Sequence, residues 1–168
     1  GNALVVGQQN DGEQDSIFSN RYTVGVGWDA PELIEGDQKG SVRSPQLAMD
    51  GNGNAVAVWI STEDTSSRLD VWTNRFVANV GWGAAELLES ETTHNASGPH
   101  VAMDASGNAM AVWHQNDGVR FNMMARRYVA GAAGAPGTGW GAAQLIETEN
   151  LGDAFDAKVV AHADGSAI

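Results

Sequence analysis

Cysteine is absent from the 168 residues and proline occurs only 4 times. The chain therefore has no disulfide frame, thiol nucleophile or cysteine-type zinc site. Basic residues are also scarce: 9 Lys and Arg stand against 21 Asp and Glu, a formal net charge of −12. Nucleic-acid phosphates are held by clustered positive charge, and these few cations are scattered, which excludes nucleic acid as the expected partner. Long hydrophobic runs are missing too. No stretch approaches the ~20 apolar residues of a membrane span. What is present is 42% hydrophobic residues, 21 glycines and 6 tryptophans, enough apolar material for one domain with a real core.

The dominant feature is an internal repeat. Gly27-Trp28-Asp-Ala-Pro-Glu-Leu-Ile-Glu35 returns as Gly81-Trp82-Gly-Ala-Ala-Glu-Leu-Leu-Glu89 and as Gly139-Trp140-Gly-Ala-Ala-Gln-Leu-Ile-Glu147. A second block, Pro45-Gln-Leu-Ala-Met-Asp50 followed by Gly53-Asn54-Ala-Val-Ala-Val-Trp59, returns as Pro99 to Asp104 and Gly107 to Trp113. A third block ends in Asn20-Arg21-Tyr22, Asn74-Arg75-Phe76 and Arg126-Arg127-Tyr128. The tryptophans of the first block lie 54 and then 58 residues apart, and the Gly/Ala-rich stretch before Gly139 absorbs the excess. A fixed period of this length marks a repeat architecture.

Each repeat carries four strand-like runs and no helical stripe, so the fold class is all-β. Leu47 to Asp50 and Val101 to Asp104 enter Asp-x-x-Gly-Asn turns, a tight hairpin signal. The return strand is apolar on both faces, with Ala55, Ala57 and Trp59 on one and Val56 and Val58 on the other. It must be covered from both sides. The third strand runs Leu69 to Phe76 or Phe121 to Tyr128, and the fourth is the Trp-x-x-Ala-x-Leu-Ile-Glu run. Four short strands per repeat, buried on both faces, fit the blades of a β-propeller.

The Asp50-x-x-Gly53-Asn54 and Asp104-x-x-Gly107-Asn108 hairpins, entered from Pro-x-Leu/Val-Ala-Met, resemble NHL-type blades. They are also distantly similar to the Asp-box hairpins of sialidase-type propellers. They depart from the Asp box by one extra residue between Asp and Gly, and by Met49 and Met103 before the Asp. The whole unit resembles tandem repeats of secreted or surface proteins of bacteria, which implies a secreted or cell-surface location.

Blades ordered as in the NHL type give an incomplete first blade over 1–35, full blades over 45–89 and 99–147, and a closing strand over 156–168. The polar stretches 36–44 and 90–98 then cross between blades. Three blade equivalents are fewer than the about four needed for a ring. Self-association follows as the expectation: a homodimer forming one six-bladed ring, each closing strand completing the other chain's first blade. A fragment of a longer array is the competing expectation.

The repeated Trp28, Trp82 and Trp140 are expected to pack between blades, because a residue kept in every repeat serves the architecture. Arg21, Arg75 and Arg127 are expected to pair with Glu35, Glu89 and Glu147. Asp50 and Asp104 are expected to accept backbone N–H bonds within their own turns. His94, His100, His114 and His162 share no repeat phase and show no metal-ligand spacing, so no cofactor or metal is expected. The candidate ligand-binding residues lie in and beside the polar loops after each return strand: Gln9, Asn10 and Asp11; Trp59, Glu63 and Asp64; Trp113, His114, Gln115, Asn116 and Asp117. Such loops on a rigid scaffold can grip a partner, and amides beside aromatics suit sugar hydroxyls. The competing reading is ordinary turn chemistry.

The leading functional expectation is a non-catalytic binding module for a glycan or protein ligand. The alternatives are a sialidase-like glycoside hydrolase and a purely structural assembly repeat. No nucleophile elbow or phosphate-cradling loop supports other chemistry.

Overall fold

The structure is a computed structural model that describes residues 1–10, 12–36, 40–62, 67–90, 92–131, 139–148 and 151–162. Every strand lies in one of three antiparallel sheets, here blades 1 to 3. Blade 1 holds β1 (Ala3–Asn10), β2 (Asp15–Thr23), β3 (Gly27–Trp28) and β4 (Glu32–Leu33). Blade 2 holds β5 (Val42–Met49), β6 (Ala55–Thr62), β7 (Leu69–Val77), β8 (Gly81–Trp82) and β9 (Glu86–Leu87). Blade 3 repeats that plan with β10 (Ala96–Met103), β11 (Ala109–Asn116), β12 (Phe121–Val129), β13 (Gly139–Trp140) and β14 (Gln144–Leu145). Among the described residues no helix is long and apolar enough to cross a membrane.

The hairpin expectation holds in atomic detail. Asp50 accepts from the Asn52 and Asn54 N–H groups at 2.8 and 2.9 Å, and from the Asn54 amide at 2.8 Å. Asp104 does the same with Ser106 and Asn108. Gly53 and Gly107 supply the positive φ, 85° and 82°, that closes each turn. The turn asparagine then fastens the next hairpin. Asn2, Asn54 and Asn108 accept from the N–H of Val24, Ala78 and Ala130, at 3.0 to 3.1 Å.

Two strand boundaries differ from the sequence reading. The inner strands begin at Val42 and Ala96, so 42–44 and 96–98, read as connector, are already sheet. A one-residue bulge divides each strand at Ser44 and Gly98, both at positive φ, immediately before Pro45 and Pro99. A proline that cannot donate to the ladder is accommodated at that irregularity. The fourth strand, in turn, is not continuous. It splits into two short pairs on the third strand, with one residue inserted between them in all three blades. The insertion is the 29–31 segment and its equivalents, which bulges out after Gly27, Gly81 and Gly139 at positive φ.

The core lies between blades. Ile17 and Ile34 of blade 1 pack against Val42, Ala57 and Trp59 of blade 2. Val56, Val58, Val71 and Leu88 of blade 2 pack in the same way against Ala96, Ala109, Ala111 and Trp113 of blade 3. Alanines on the approaching face let the large Trp59 and Trp113 fill the gap between sheets. On the far side of blade 3, Ala157 and Val159 cover Val112 and Ala125. The segment read as a closing strand thus runs against this face, and its described part, 156–162, shows a single β-bridge at Ala161 rather than a continuous strand.

Candidate functional site

The loops between the second and third strands of each blade share one rim with the connectors that lead into β5 and β10. Thr62 donates its N–H to Ser41 at 2.9 Å, and Asn116 donates to Asn95 at 2.8 Å. Between blades 2 and 3 this rim opens into a pocket of about 550 Å³, lined by Ser67, Arg68, Thr93, His94, Asn95, Asn116 and Phe121.

Its walls are fixed by short polar contacts. Asn95 accepts from the Leu69 N–H at 3.0 Å, tying the connector to the start of β7. Asn116 accepts from the Gly118 N–H at 2.7 Å. Asp117 accepts from the N–H groups of Val119 and Arg120 and from the Asn122 amide. The Arg120 N–H and the Asn122 amide, with Val119, hold its carboxyl down at about 2. His94 bonds through Nδ1 to the Thr93 hydroxyl at 2.8 Å, and its ring lies on Gly118.

One wall is aromatic. The rings of Phe121, His114 and Phe155 cluster with centroids 5.1 to 5.5 Å apart. The Ser97 hydroxyl meets His114 Nε2 at 2.7 Å, and burial holds the imidazole below its usual pKa, favouring the neutral ring. Gly98 is required beneath it: a Cβ there would stand 2.5 Å from His114 Cε1.

Under the pocket floor sit two buried carboxyls. Arg68 grips Asp70 with Nε at 2.7 Å and Nη2 at 3.0 Å. Burial opposes ionisation of Asp70, but hydrogen bonds from Arg68 and Glu89 and the Arg68 charge hold it below the usual carboxylate range. Burial, then the hydrogen bond to Asp70 and its charge, push Glu89 up to about 9. At neutral pH Glu89 is thus a protonated acid donating to Asp70. Its Oε2 also accepts from the Val71 N–H at 3.3 Å. That contact is a property of the repeat: Glu35 accepts from the Ile17 N–H, and Glu147 from Met123 at 2.6 Å.

The expected Arg–Glu pairing is therefore replaced. Each glutamate continues the sheet ladder past the end of the fourth strand, while Arg75 stacks over the Tyr128 ring of the next blade at 5.2 Å. Neighbouring positions staple the blades. Asn74 donates to the Ile34 carbonyl of blade 1 at 2.8 Å and to Gly83 in its own blade at 3.1 Å. Arg126, in the same phase, donates to Leu88 of blade 2 and to its own Gly141, both at 2.7 Å.

The candidate residues separate clearly. Trp59 and Trp113 are fully buried between blades, a correction to their place among the ligand-binding candidates. Gln115 is buried as well and accepts from Trp113 Nε1 at 3.0 Å. Gln9 and Asn10 are exposed on blade 1, remote from the pocket, where Asn10 accepts from Gly12 and donates to Asp15. Asn116 lines the pocket, His114 does not line it but packs on the Phe121 ring that does, and Asp117 shapes the adjoining turn. Asp11, Glu63 and Asp64 lie outside the described residues. Ser67, Arg68, Thr93, His94, Asn95 and Phe121 escaped the sequence reading. Phe121 was detectable, since it stands where the repeat has Leu69 and Asp15. Among the described residues no group of three or more His, Asp or Glu side chains could hold a metal ion.

No family model and no curated protein matches the chain. Solved structures do. A protein of unknown function from Dyadobacter fermentans superposes with a TM-score of 0.60 at 14% identity, over 95% of this chain and 43% of that one. The alpha-L-arabinanase of Penicillium chrysogenum, complexed with arabinobiose, superposes with a TM-score of 0.60 at 13% identity, over 99% of this chain and 52% of that one. At such identities the likeness is one of fold. The chain is an all-β, blade-like array of three antiparallel sheets that spans about half the length of the propeller-like chains it matches.

Proposed function

We propose that this chain is a non-catalytic binding module that takes a carbohydrate at the rim pocket between blades 2 and 3. The observation that carries the reading is the pocket's composition: the Phe121 ring stands among the hydroxyl, amide, imidazole and guanidinium groups of Ser67, Thr93, Asn95, Asn116, His94 and Arg68. A sugar presents the matching surface, apolar on its C–H face and ringed by hydroxyls. Aromatic stacking with convergent polar groups is the economical way to bind it. The fold neighbour complexed with arabinobiose lends the class of ligand some support. Hydrolysis fits less well. The described lining contains no Asp or Glu to protonate a leaving oxygen, and Asp70 and Glu89 are buried beneath it and committed to Arg68 and to the ladder.

The test is calorimetric titration of the chain with a panel of neutral oligosaccharides, pentose and hexose, with reducing-sugar release followed in parallel. Binding without release is expected, weakened about tenfold or more in Phe121→Ala, the loss of one stacking contact. No heat with any of them would remove the carbohydrate reading, and release of sugar would transfer the pocket to the hydrolase reading.

A further inference from the structure

The fold builds a seam between blades twice, and the two seams differ at their charged positions. In the first, Ile17, Ser19 and Arg21 alternate along one face of β2, and Ile17 packs on blade 2. Ser19 faces Glu32 across the strand pair, and the Asp29 N–H donates to the Arg21 carbonyl at 2.8 Å. Residues opposite each other on antiparallel strands share one side of the sheet, so both carboxylates flank the guanidinium. Arg21, Asp29 and Glu32 line a cavity of about 230 Å³, with Leu4 of blade 1 beside them and Phe76 and residues 79–81 of blade 2 across from them. It lies at the opposite end of β7 from the rim pocket, within the seam that blades 1 and 2 form together.

In the second seam the same positions are already spent. Arg75 stacks over the Tyr128 ring at 5.2 Å, and Gly83 stands in the place of Asp29. In the first seam the ring is Phe76, and among the described residues no hydrogen bond or ion pair engages the side chains of Arg21, Asp29 or Glu32. Asp29 is the departure from the repeat. Gly83 and Gly141 hold its position in the other two blades and donate the same N–H to the same carbonyl, at 2.9 and 2.8 Å. The backbone task therefore needs no carboxylate.

We infer that this cavity binds a free α-amino acid. Its carboxylate meets the Arg21 guanidinium, whose planar fork suits a two-pronged contact. Its ammonium meets Asp29 and Glu32, and an apolar side chain lies against Phe76 and Leu4. A molecule with both charges on one carbon satisfies all three protein charges at once. A neutral sugar would leave them bare, and an amine or an acid alone would serve one sign only.

The experiment is calorimetric titration of the chain with L-leucine and with two analogues that each lack one of its charges, isoamylamine and isocaproate. Leucine is expected to bind at one site per chain, and each analogue about tenfold or more weakly. Asp29→Gly, which installs the residue of the other repeats, and Arg21→Gln are each expected to weaken leucine about tenfold or more, with circular dichroism and unfolding midpoint unchanged. Asp29→Gly asks nothing new of the backbone, so it decides the matter if Arg21→Gln lowers stability. Failure of leucine, valine and phenylalanine alike to saturate the chain at millimolar concentration would overturn the inference. So would isoamylamine binding as tightly as leucine, which would leave a plain cation site. Leucine binding that ignores both substitutions would do the same, since its site would then lie elsewhere. None of these outcomes depends on whether the rim pocket binds sugar.

Discussion

At the scale of single residues, the repeat assigns the same backbone task to three glutamates, but only Glu89 has an acidic neighbour. The residues before the donating N–H groups of Ile17, Val71 and Met123 are Ser16, Asp70 and Asn122. Asp70 is charged and clamped by Arg68, so Glu89 keeps its proton, with a pKa pushed up to about 9 against the ordinary 4.5. The folded chain therefore binds more protons than the unfolded one between those two values. Stability is fully present below about 4.5 and is lost as pH rises towards about 9, with a slope of at most about 1.4 kcal/mol per pH unit from this group. Glu89→Gln reproduces the protonated acid, keeping an acceptor for Val71 and a donor for Asp70. Urea unfolding across that range should show the variant as stable as wild type near pH 4.5 and more stable at pH 8, with a flatter profile. Equal slopes for the two proteins would mean that Glu89 ionises normally.

The elements show how much could be read in advance and why the rest could not. Asp50 and Asp104 announce their turns because the bonds that fix them are local, within four residues, and appear in each repeat. The split of the fourth strand was hidden. Its cause is a positive-φ glycine at 27, 81 and 139 followed by an outward loop, and an apolar run gives no sign of the inserted residue. The pocket was harder still. Thr93, His94 and Asn95 come from a connector, Ser67 and Arg68 from another loop and Phe121 from a strand end. They meet only through tertiary packing. Trp59 and Trp113 misled for the opposite reason, since an aromatic beside a polar loop looks like a platform until the neighbouring sheet covers it.

The bulge at Gly98 joins the element to the site. It has φ of 63° and no room for a Cβ against the His114 ring. Gly98→Ala should therefore destabilise blade 3 by roughly 1–3 kcal/mol, combining backbone strain with displacement of the imidazole. Part of that cost comes from the ring, so His114→Ala should return a share of it in the double variant, a coupling readable in a double-mutant cycle of unfolding free energies. Strict additivity would mean that the ring does not oppose the substitution. Ser44 holds the same bulge in blade 2 at φ 56° with a side chain present, so the backbone geometry alone does not demand glycine.

At the scale of the whole molecule, the main contacts among the described residues join each blade to its neighbour, and stability is set interface by interface rather than by one central core. Each interface combines an apolar sandwich with one polar staple from the third strand. In the first interface that staple is Asn74, whose amide serves two carbonyls, Ile34 across the boundary and Gly83 within the blade. Asn74→Leu keeps the branched shape at a larger volume and removes both donors, along with the oxygen that accepts from the Arg75 N–H. The buried Ile34 carbonyl then loses a partner it cannot replace with water, at a cost of roughly 1–3 kcal/mol. In a quasi-linear array the damage stays at its own boundary. Amide exchange should accelerate in β2 and along the 32–36 segment of blade 1 and in β7 of blade 2, while β11 and β12 of blade 3, held by Arg126 to Leu88, keep their protection. Uniform acceleration across all three sheets would instead mean that the blades unfold as one cooperative unit, with the staple acting on the whole.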